Sequence, residues 1–237
     1  MRHNVAFIHM PKCGGTSLTE ALCALYGPGR RTLLDSRASK RGADELGIGL
    51  LRFRRSLLAY ELRRAGEGRL VAGHYPVDAE AVSEFGSRWR FVTVLRDPVE
   101  RWISHYFYNR SLRDSPFHIS ADLGSYLDSG DARSLGCLYA RHLLGIEGAN
   151  LTDQQVEAAK RVLSSFALVG IAERLDDFAA EFGRKFGRSL EIGRKNVSPV
   201  SRRDRESEVS PEIRARIRDL CAPDLELYEQ ARSLARR

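Results

Sequence analysis

Val5-Ala6-Phe7-Ile8-His9-Met10-Pro11-Lys12-Cys13-Gly14-Gly15-Thr16-Ser17-Leu18 decides the fold of this chain. Val5 to Ile8 is a short apolar strand, and helical character begins at Leu18. Between them lies a glycine pair flanked by a lysine and two hydroxyls. Glycine lets the backbone approach a ligand closely. The amides of Gly14 to Ser17 then open a helix whose positive end faces an anion. Lys12 adds a compact cation, and Thr16 and Ser17 add hydroxyl donors. The stretch reads as a phosphate-cradling loop. It departs from the nucleotide-triphosphatase pattern G-x-x-x-x-G-K-[ST], because Lys12 precedes the glycine pair instead of following it. A phosphatase signature C-x5-R also fails, since the sixth residue after Cys13 is Thr19.

Outward from that loop, strands and helices alternate. Residues 15–26 predict a helix stopped by Gly27-Pro28-Gly29, and residues 30–44, polar and basic, predict a loop. Residues 45–65 have helical apolar spacing, and Arg69-Leu70-Val71-Ala72 is a strand ending at Gly73-His74-Tyr75-Pro76. Phe91 to Leu95 is apolar enough for a central parallel strand. Asp97-Pro98 then starts a helix reaching about Ser111. Residues 121–145 and 152–165 read as helices, the latter opened by a Thr152…Gln155 capping box. A strand at 166–171, a helix at 173–186, a loop at 187–209 and a last helix from Ser210-Pro211 to about Arg232 follow. The expected fold is α/β and P-loop-like: three layers, with a central parallel sheet flanked by helices, in a single domain over residues 1–237. Ligands of such sheets sit at the carboxyl ends of the strands.

The bulk properties are those of an ordinary soluble globular protein: 43% hydrophobic and 29% charged residues. No apolar run approaches a membrane span, and strand-like sequence begins at Asn4 with no leader before it, so a cytoplasmic protein is expected. Peripheral contact with a membrane stays open, and the sequence carries no signal of oligomeric state. The four cysteines (Cys13, Cys23, Cys137, Cys221) form no C-x-x-C pair, which argues against zinc and against a disulfide scaffold. The net charge of +7 suits an anionic ligand or an arginine-rich composition equally, since only five lysines occur. No nucleic-acid motif is present, so nucleic acid is not an expected partner.

Two further strand ends carry chemistry. Arg96 closes the 91–95 strand and can bind a phosphate bidentately. On the helix that follows, Asp97, Arg101, Ser104 and Tyr108 share one face, so Ser104 can meet the phosphate that Arg96 holds. For Arg101 the expectation is pairing with Asp97 at the helix start. His74 ends the 69–72 strand and titrates near neutrality when unperturbed. His9 is expected to support the loop. His105 projects about 100° from Ser104 on the helix, which favours packing.

These motifs resemble the sulfotransferases that use 3′-phosphoadenosine 5′-phosphosulfate (PAPS). Pro11-Lys12-Cys13-Gly14-Gly15-Thr16-Ser17 is similar to their 5′-phosphosulfate loop, and Arg96 to Ser104 to their 3′-phosphate motif R-D-P-x-x-R-x-x-S. The likeness is to the carbohydrate branch that includes heparan sulfate 2-O-sulfotransferase and small bacterial relatives. Leu168-Val169-Gly170-Ile171-Ala172-Glu173-Arg174 and Lys195-Asn196-Val197-Ser198-Pro199 also resemble that branch. Cys13 stands where the family more often has threonine, and the anchor and stem of Golgi members have no counterpart here.

The resemblance implies sulfuryl transfer from PAPS to an acceptor hydroxyl, with no metal. Lys12 and the loop (Cys13, Gly14, Gly15, Thr16, Ser17) would hold the 5′-phosphosulfate. Arg96 and Ser104 would hold the 3′-phosphate, with Asn196 and Ser198 also at the nucleotide. His74 is the implied general base, with Glu20, Glu80 and Glu84 as weaker candidates. The acceptor is expected on a glycan or glycolipid, its site shaped by segments 30–44, 113–131 and 187–209 with their arginines. The alternative is a P-loop-like nucleotide kinase or triphosphatase. The displaced lysine and the arginine at the end of the 91–95 strand, where a magnesium-binding acid would be expected, count against it.

Overall fold

The computed structural model describes residues 3–193 and 208–236. Its centre is a parallel sheet built from β1 (Asn4–Ile8), β2 (Arg31–Leu33), β3 (Leu70–Gly73), β4 (Trp89–Leu95) and β5 (Leu168–Ile171), in the order β2-β3-β1-β4-β5. β1 is central and fully buried, with β3 on one side and β4 on the other. Ile8 is in register with Gly73 and with Thr93. The turns after these three strands therefore open side by side at one edge of the sheet.

Alternate residues of β1 point to opposite faces. Val5 and Phe7 join Leu18 and Leu22 of α1 (Gly15–Tyr26) and Phe178 and Phe182 of α10 (Leu175–Phe186). Ala6 and Ile8 enter the larger core on the other face. That core includes Leu58 and Leu62 of α3 (Leu50–Arg64) and Trp102 of α5 (Pro98–Ser111). It also takes in Leu143 of α8 (Leu138–Leu144) and Leu227 of α12 (Ala222–Leu234). Helices thus cover both faces, which gives the expected three layers. Thr93, a polar residue buried in the central strand pair, donates its hydroxyl to the Ile8 carbonyl at 2.7 Å, so its burial leaves no orphan.

Several boundaries differ from expectation. Segment 30–44 is not a loop: it contains edge strand β2 and α2 (Ser36–Glu45), whose start is capped by the Asp35 carboxylate. A short helix, α4 (Ala79–Phe85), precedes β4. The stretch 121–145 breaks into α6 (Leu123–Leu127), α7 (Gly130–Gly136) and α8, because Asp122 and Ser129 each restart the chain with an N-cap bond. The C-terminal helix divides at Cys221 into α11 (Pro211–Leu220) and α12. The capping box opens α9 (Asp153–Ser164) as expected. Most of segment 187–209 lies outside the described residues.

Candidate active site

The loop after β1 is shaped by its backbone. Lys12 has φ 64 and is the one described residue other than glycine with a positive φ; Gly14 follows at φ 72. Left-handed residues in such a turn swing successive N–H groups toward one concavity that suits an anion. Gly14 is the N-cap of α1, makes no side-chain cap, and the first turn holds no acid. In contrast, α5 is closed by the Asp97 carboxylate, which accepts from Glu100 N–H at 3.0 Å. The opening amides of α1 are thus left without a side-chain cap. An uncapped helix start of this kind suits an anionic group. Lys12 Nζ lies 3.5 Å from the centre of the Tyr108 ring on α5, which brings the Ser104–Tyr108 face against the loop.

Arg96 follows β4 directly, and its Nη1 donates to the Lys12 carbonyl at 3.4 Å. The strand end and the loop are therefore in contact. Ser104, one turn before Tyr108 on α5, is buried. Arg101 does not pair with Asp97. It is fully buried, donates to Leu135 O at 2.5 Å and lies 3.7 Å from Asp224 of α12. Asp97 instead caps its own helix, and its N–H bonds Glu173 Oε1 at 3.1 Å. The other oxygen of Glu173 accepts from the Tyr228 hydroxyl at 3.2 Å, so the C-terminal helix is tied to the turn after β4.

The turn after β3 carries a histidine cluster. His74 Nδ1 lies 2.6 Å from the His9 carbonyl, and the two rings are 4.4 Å apart. A carbonyl only accepts, so Nδ1 holds the proton and Nε2 presents a lone pair. Burial lowers the His74 pKa to about 4, with the nearby charges of Arg54 and Lys12 acting in the same direction. Burial and the same neighbourhood push His9 well below its usual value. His9 also stacks on Phe7 with centroids 5.4 Å apart. A Cβ at position 15 would lie 2.1 Å from the His9 ring, so the second glycine of the pair makes room for this histidine.

His105 packs into the same neighbourhood. Burial, then the charges of Arg101, Lys12 and His74, lower its pKa to about 3. Its Nε2 lies 2.6 Å from the Asn109 amide nitrogen, while its buried Nδ1 has no hydrogen-bond partner among the described residues. Arg54, buried under the His74 turn, donates to Ser39 Oγ at 3.0 Å and Ser36 O at 3.2 Å. It thereby holds α2 against the site.

Of the other candidates, Glu80 pairs with Arg55 and Glu84 with Arg63 on exposed helix surface, which occupies both carboxylates. Glu20 lies exposed on α1. Arg188 donates to Leu25 O at 3.0 Å and lines a cleft with His3 and Tyr26, at the amino ends of the strands and away from the loop. Asn196 and Ser198 lie outside the described residues. No group of three or more His, Cys, Asp or Glu is placed to hold a metal ion among the described residues. No described helix is long and apolar enough to cross a membrane.

The model of the Sulfotransferase family matches residues 1–126, more than half of the 237-residue chain and the part that carries all three strand ends. The chain belongs to this family. Among solved structures, this sulfotransferase is similar to mouse sulfotransferase SULT7A1, crystallised with PAP. The two share 13% identity at a TM-score of 0.54, over 100% of this chain and 89% of that one. It is also similar to a sulfotransferase from Alicyclobacillus acidocaldarius, with 17% identity and a TM-score of 0.50 over 97% of this chain and 99% of that one. Identities this low establish a shared fold and nothing finer. No curated protein sequence matches the chain.

Proposed function

We propose that the whole chain is one catalytic domain that uses PAPS to sulfate an acceptor hydroxyl on a carbohydrate or glycoconjugate. The observation that carries this reading is a juxtaposition at three adjacent strand ends. An uncapped, lysine-bearing anion loop touches Arg96, and His74 beside them is held neutral with Nε2 open. PAPS, as co-substrate, supplies the sulfuryl group and departs as the 3′,5′-bisphosphate PAP.

The roles follow from charge. Lys12 and the amides of Gly14, Gly15, Thr16 and Ser17 hold the 5′-phosphate oxygens and meet the charge that grows there as the S–O bond breaks, while the Cys13 amide is already bonded to Met10 O at 3.4 Å. Arg96 and Ser104 hold the 3′-phosphate, so the site prefers PAPS to ATP-like nucleotides. His74 Nε2 takes the proton of the acceptor hydroxyl as the new S–O bond forms, and Nδ1, bonded to His9 O, keeps the ring aimed. Lysine and amide donors suffice for this charge, so the reading needs no metal. The acceptor side lies beside His74, where α2 rises from the end of β2. Its exposed Arg37 and Arg41 suit an anionic glycan or glycolipid head group. The likeness to the heparan sulfate 2-O-sulfotransferase branch and its bacterial relatives points the same way.

The test is calorimetric titration with PAP, against ATP plus magnesium and 5′-AMP, followed by labelled PAPS on glycan, glycolipid and phenol panels. Tight PAP binding with neither control competing, and label transfer to a glycan, is the expected result. Tighter binding of ATP with magnesium would put the kinase reading in its place.

A further inference from the structure

We propose that Tyr139 is a positioning residue that fixes the spacing between the 5′-phosphosulfate loop and Arg96. The inference rests on the PAPS reading above. Tyr139 sits on α8, beyond the residues matched by the family model and outside every motif, and it is fully buried. Its hydroxyl donates to Arg96 O at 2.8 Å and accepts from Arg96 N–H at 3.1 Å. The Cys13 sulfur lies 3.1 Å away. With its one proton on Arg96 O, the hydroxyl can take the Cys13 thiol only as a donor, and that thiol also lies 3.6 Å from Pro11 O. Burial keeps that thiol protonated by raising its pKa to about 11.

The location gives this three-way contact its meaning. The ladder between β4 and β5 ends at Leu95 with Ile171, and that between β4 and β1 ends at Thr93 with Ile8. Arg96 is one residue beyond the first end and three beyond the second. Its peptide groups are satisfied by a side chain that also grips the loop's Cys13. A PAPS-like ligand spans these two points, one phosphate on the loop and one on Arg96. The hydroxyl therefore sets the distance that the ligand must match.

Tyr139 is itself doubly held. Its N–H bonds Asp224 Oδ2 at 2.9 Å, and the Arg101 guanidinium lies 5.2 Å from its ring centre. Arg101 is in turn held by Leu135 O and faces Asp224. The second arginine of R-D-P-x-x-R thus acts on the nucleotide site through Tyr139 and not by touching phosphate. Cys13 has a matching role, as a buried thiol whose donor completes the junction.

The experiment compares wild type, Tyr139→Phe and Cys13→Ala by calorimetry with PAP and with 5′-AMP, which lacks the 3′-phosphate. Tyr139→Phe is expected to weaken PAP by roughly tenfold or more, as for loss of a pair of aligned hydrogen bonds, while 5′-AMP weakens far less. The PAP to 5′-AMP affinity ratio therefore collapses. Cys13→Ala, which leaves the Tyr139–Arg96 bonds in place, is expected to reduce the ratio by a smaller factor and also reports if Tyr139→Phe does not fold. A purely structural role would move the melting temperature and shift both ligands by the same factor, leaving the ratio unchanged in both variants; that result overturns the proposal. Wild type that fails to bind PAP would overturn the underlying PAPS reading itself.

Discussion

The Lys12 ammonium lies 3.5 Å from the centre of the Tyr108 ring, so the cation of the anion loop rests on the face of the helix that carries Ser104. A cation over an aromatic face gains about 0.5–2 kcal/mol and loses part of its freedom to wander into solvent. Lys12→Ala is expected to lower kcat by about 10² or more, the loss typical of one transition-state donor. Tyr108→Leu should cost less, mostly in KM for PAPS. Steady-state kinetics of the two variants checks this, and near-normal turnover by Lys12→Ala would remove the lysine from the mechanism.

Arg96 is the second anchor. Removing it leaves the 3′-phosphate facing a site with one charged partner fewer. PAP affinity is expected to fall by about 1.5–3 kcal/mol, the worth of a charge-assisted bond, or roughly ten- to a hundredfold. Binding of 5′-AMP, which has no 3′-phosphate, should hardly change. Equal losses for the two ligands would place the 3′-phosphate elsewhere.

His74 makes a pH prediction. A base acts only when unprotonated, and the His74 pKa of about 4 keeps it so across the neutral and mildly acidic range. The acid limb of kcat/KM is therefore expected near pH 4 and not near the ordinary histidine value of about 6.5. His74→Ala should abolish turnover while PAP still binds. Survival of turnover would assign the proton to another group.

Much of this site was legible because its residues are local. The loop from Lys12 to Ser17 and the Arg96–Ser104 stretch each follow a strand directly, so residue order alone placed them at the sheet edge. What escaped has non-local causes. β2 is three residues, half-exposed, and exists through its register with Leu70, Val71 and Ala72 of β3. It has no apolar run of its own. α2 buries only Ser39 and Ala43, so its inward face carries no large apolar side chain to mark it as a helix, although Asp35 before Ser36 was a readable cap. Arg101 was matched to Asp97 by proximity along the chain, whereas its carboxylate is Asp224, far away in sequence and brought in by the last helix. Tyr139 has no motif at all, and its role depends on a contact made only when α8 packs under two strand ends.

The histidines also tie stability to pH. Burial lowers His74 to about 4 and His105 and His142 to about 3. In the unfolded chain each takes a proton near pH 6.5, whereas in the folded protein each stays neutral to lower pH. The unfolded state therefore binds more protons below pH 6.5, and stability falls as pH drops. Each histidine contributes a slope of up to about 1.4 kcal/mol per pH unit in that window. Melting temperature should be flat with respect to these groups above pH 7 and decline steeply from 6.5 toward 4. His142→Gln, which cannot charge, should flatten that decline. An identical slope in the variant would show that His142 is not held neutral.

Gly15 offers a test that separates space from backbone conformation. A Cβ there would lie 2.1 Å from the His9 ring, and that ring is stacked on Phe7 while its carbonyl holds His74. Gly15→Ala must push His9 aside, with an overpacking cost of about 1–3 kcal/mol. It should also displace the His74 proton acceptor and so lower kcat. Gly14 is the contrast: its φ of 72 strains any other residue, but the nearest atom to a Cβ is Leu175 Cδ1 at 3.6 Å. Gly14→Ala should cost about 1 kcal/mol in conformation, with no clash. Shrinking the partner distinguishes the two. Gly15→Ala combined with His9→Ala should recover much of the lost melting temperature, because the ring that blocks the methyl is gone. The same His9 change should rescue nothing in Gly14→Ala. Equal rescue in both backgrounds would mean that the His9 ring is not what requires glycine at position 15.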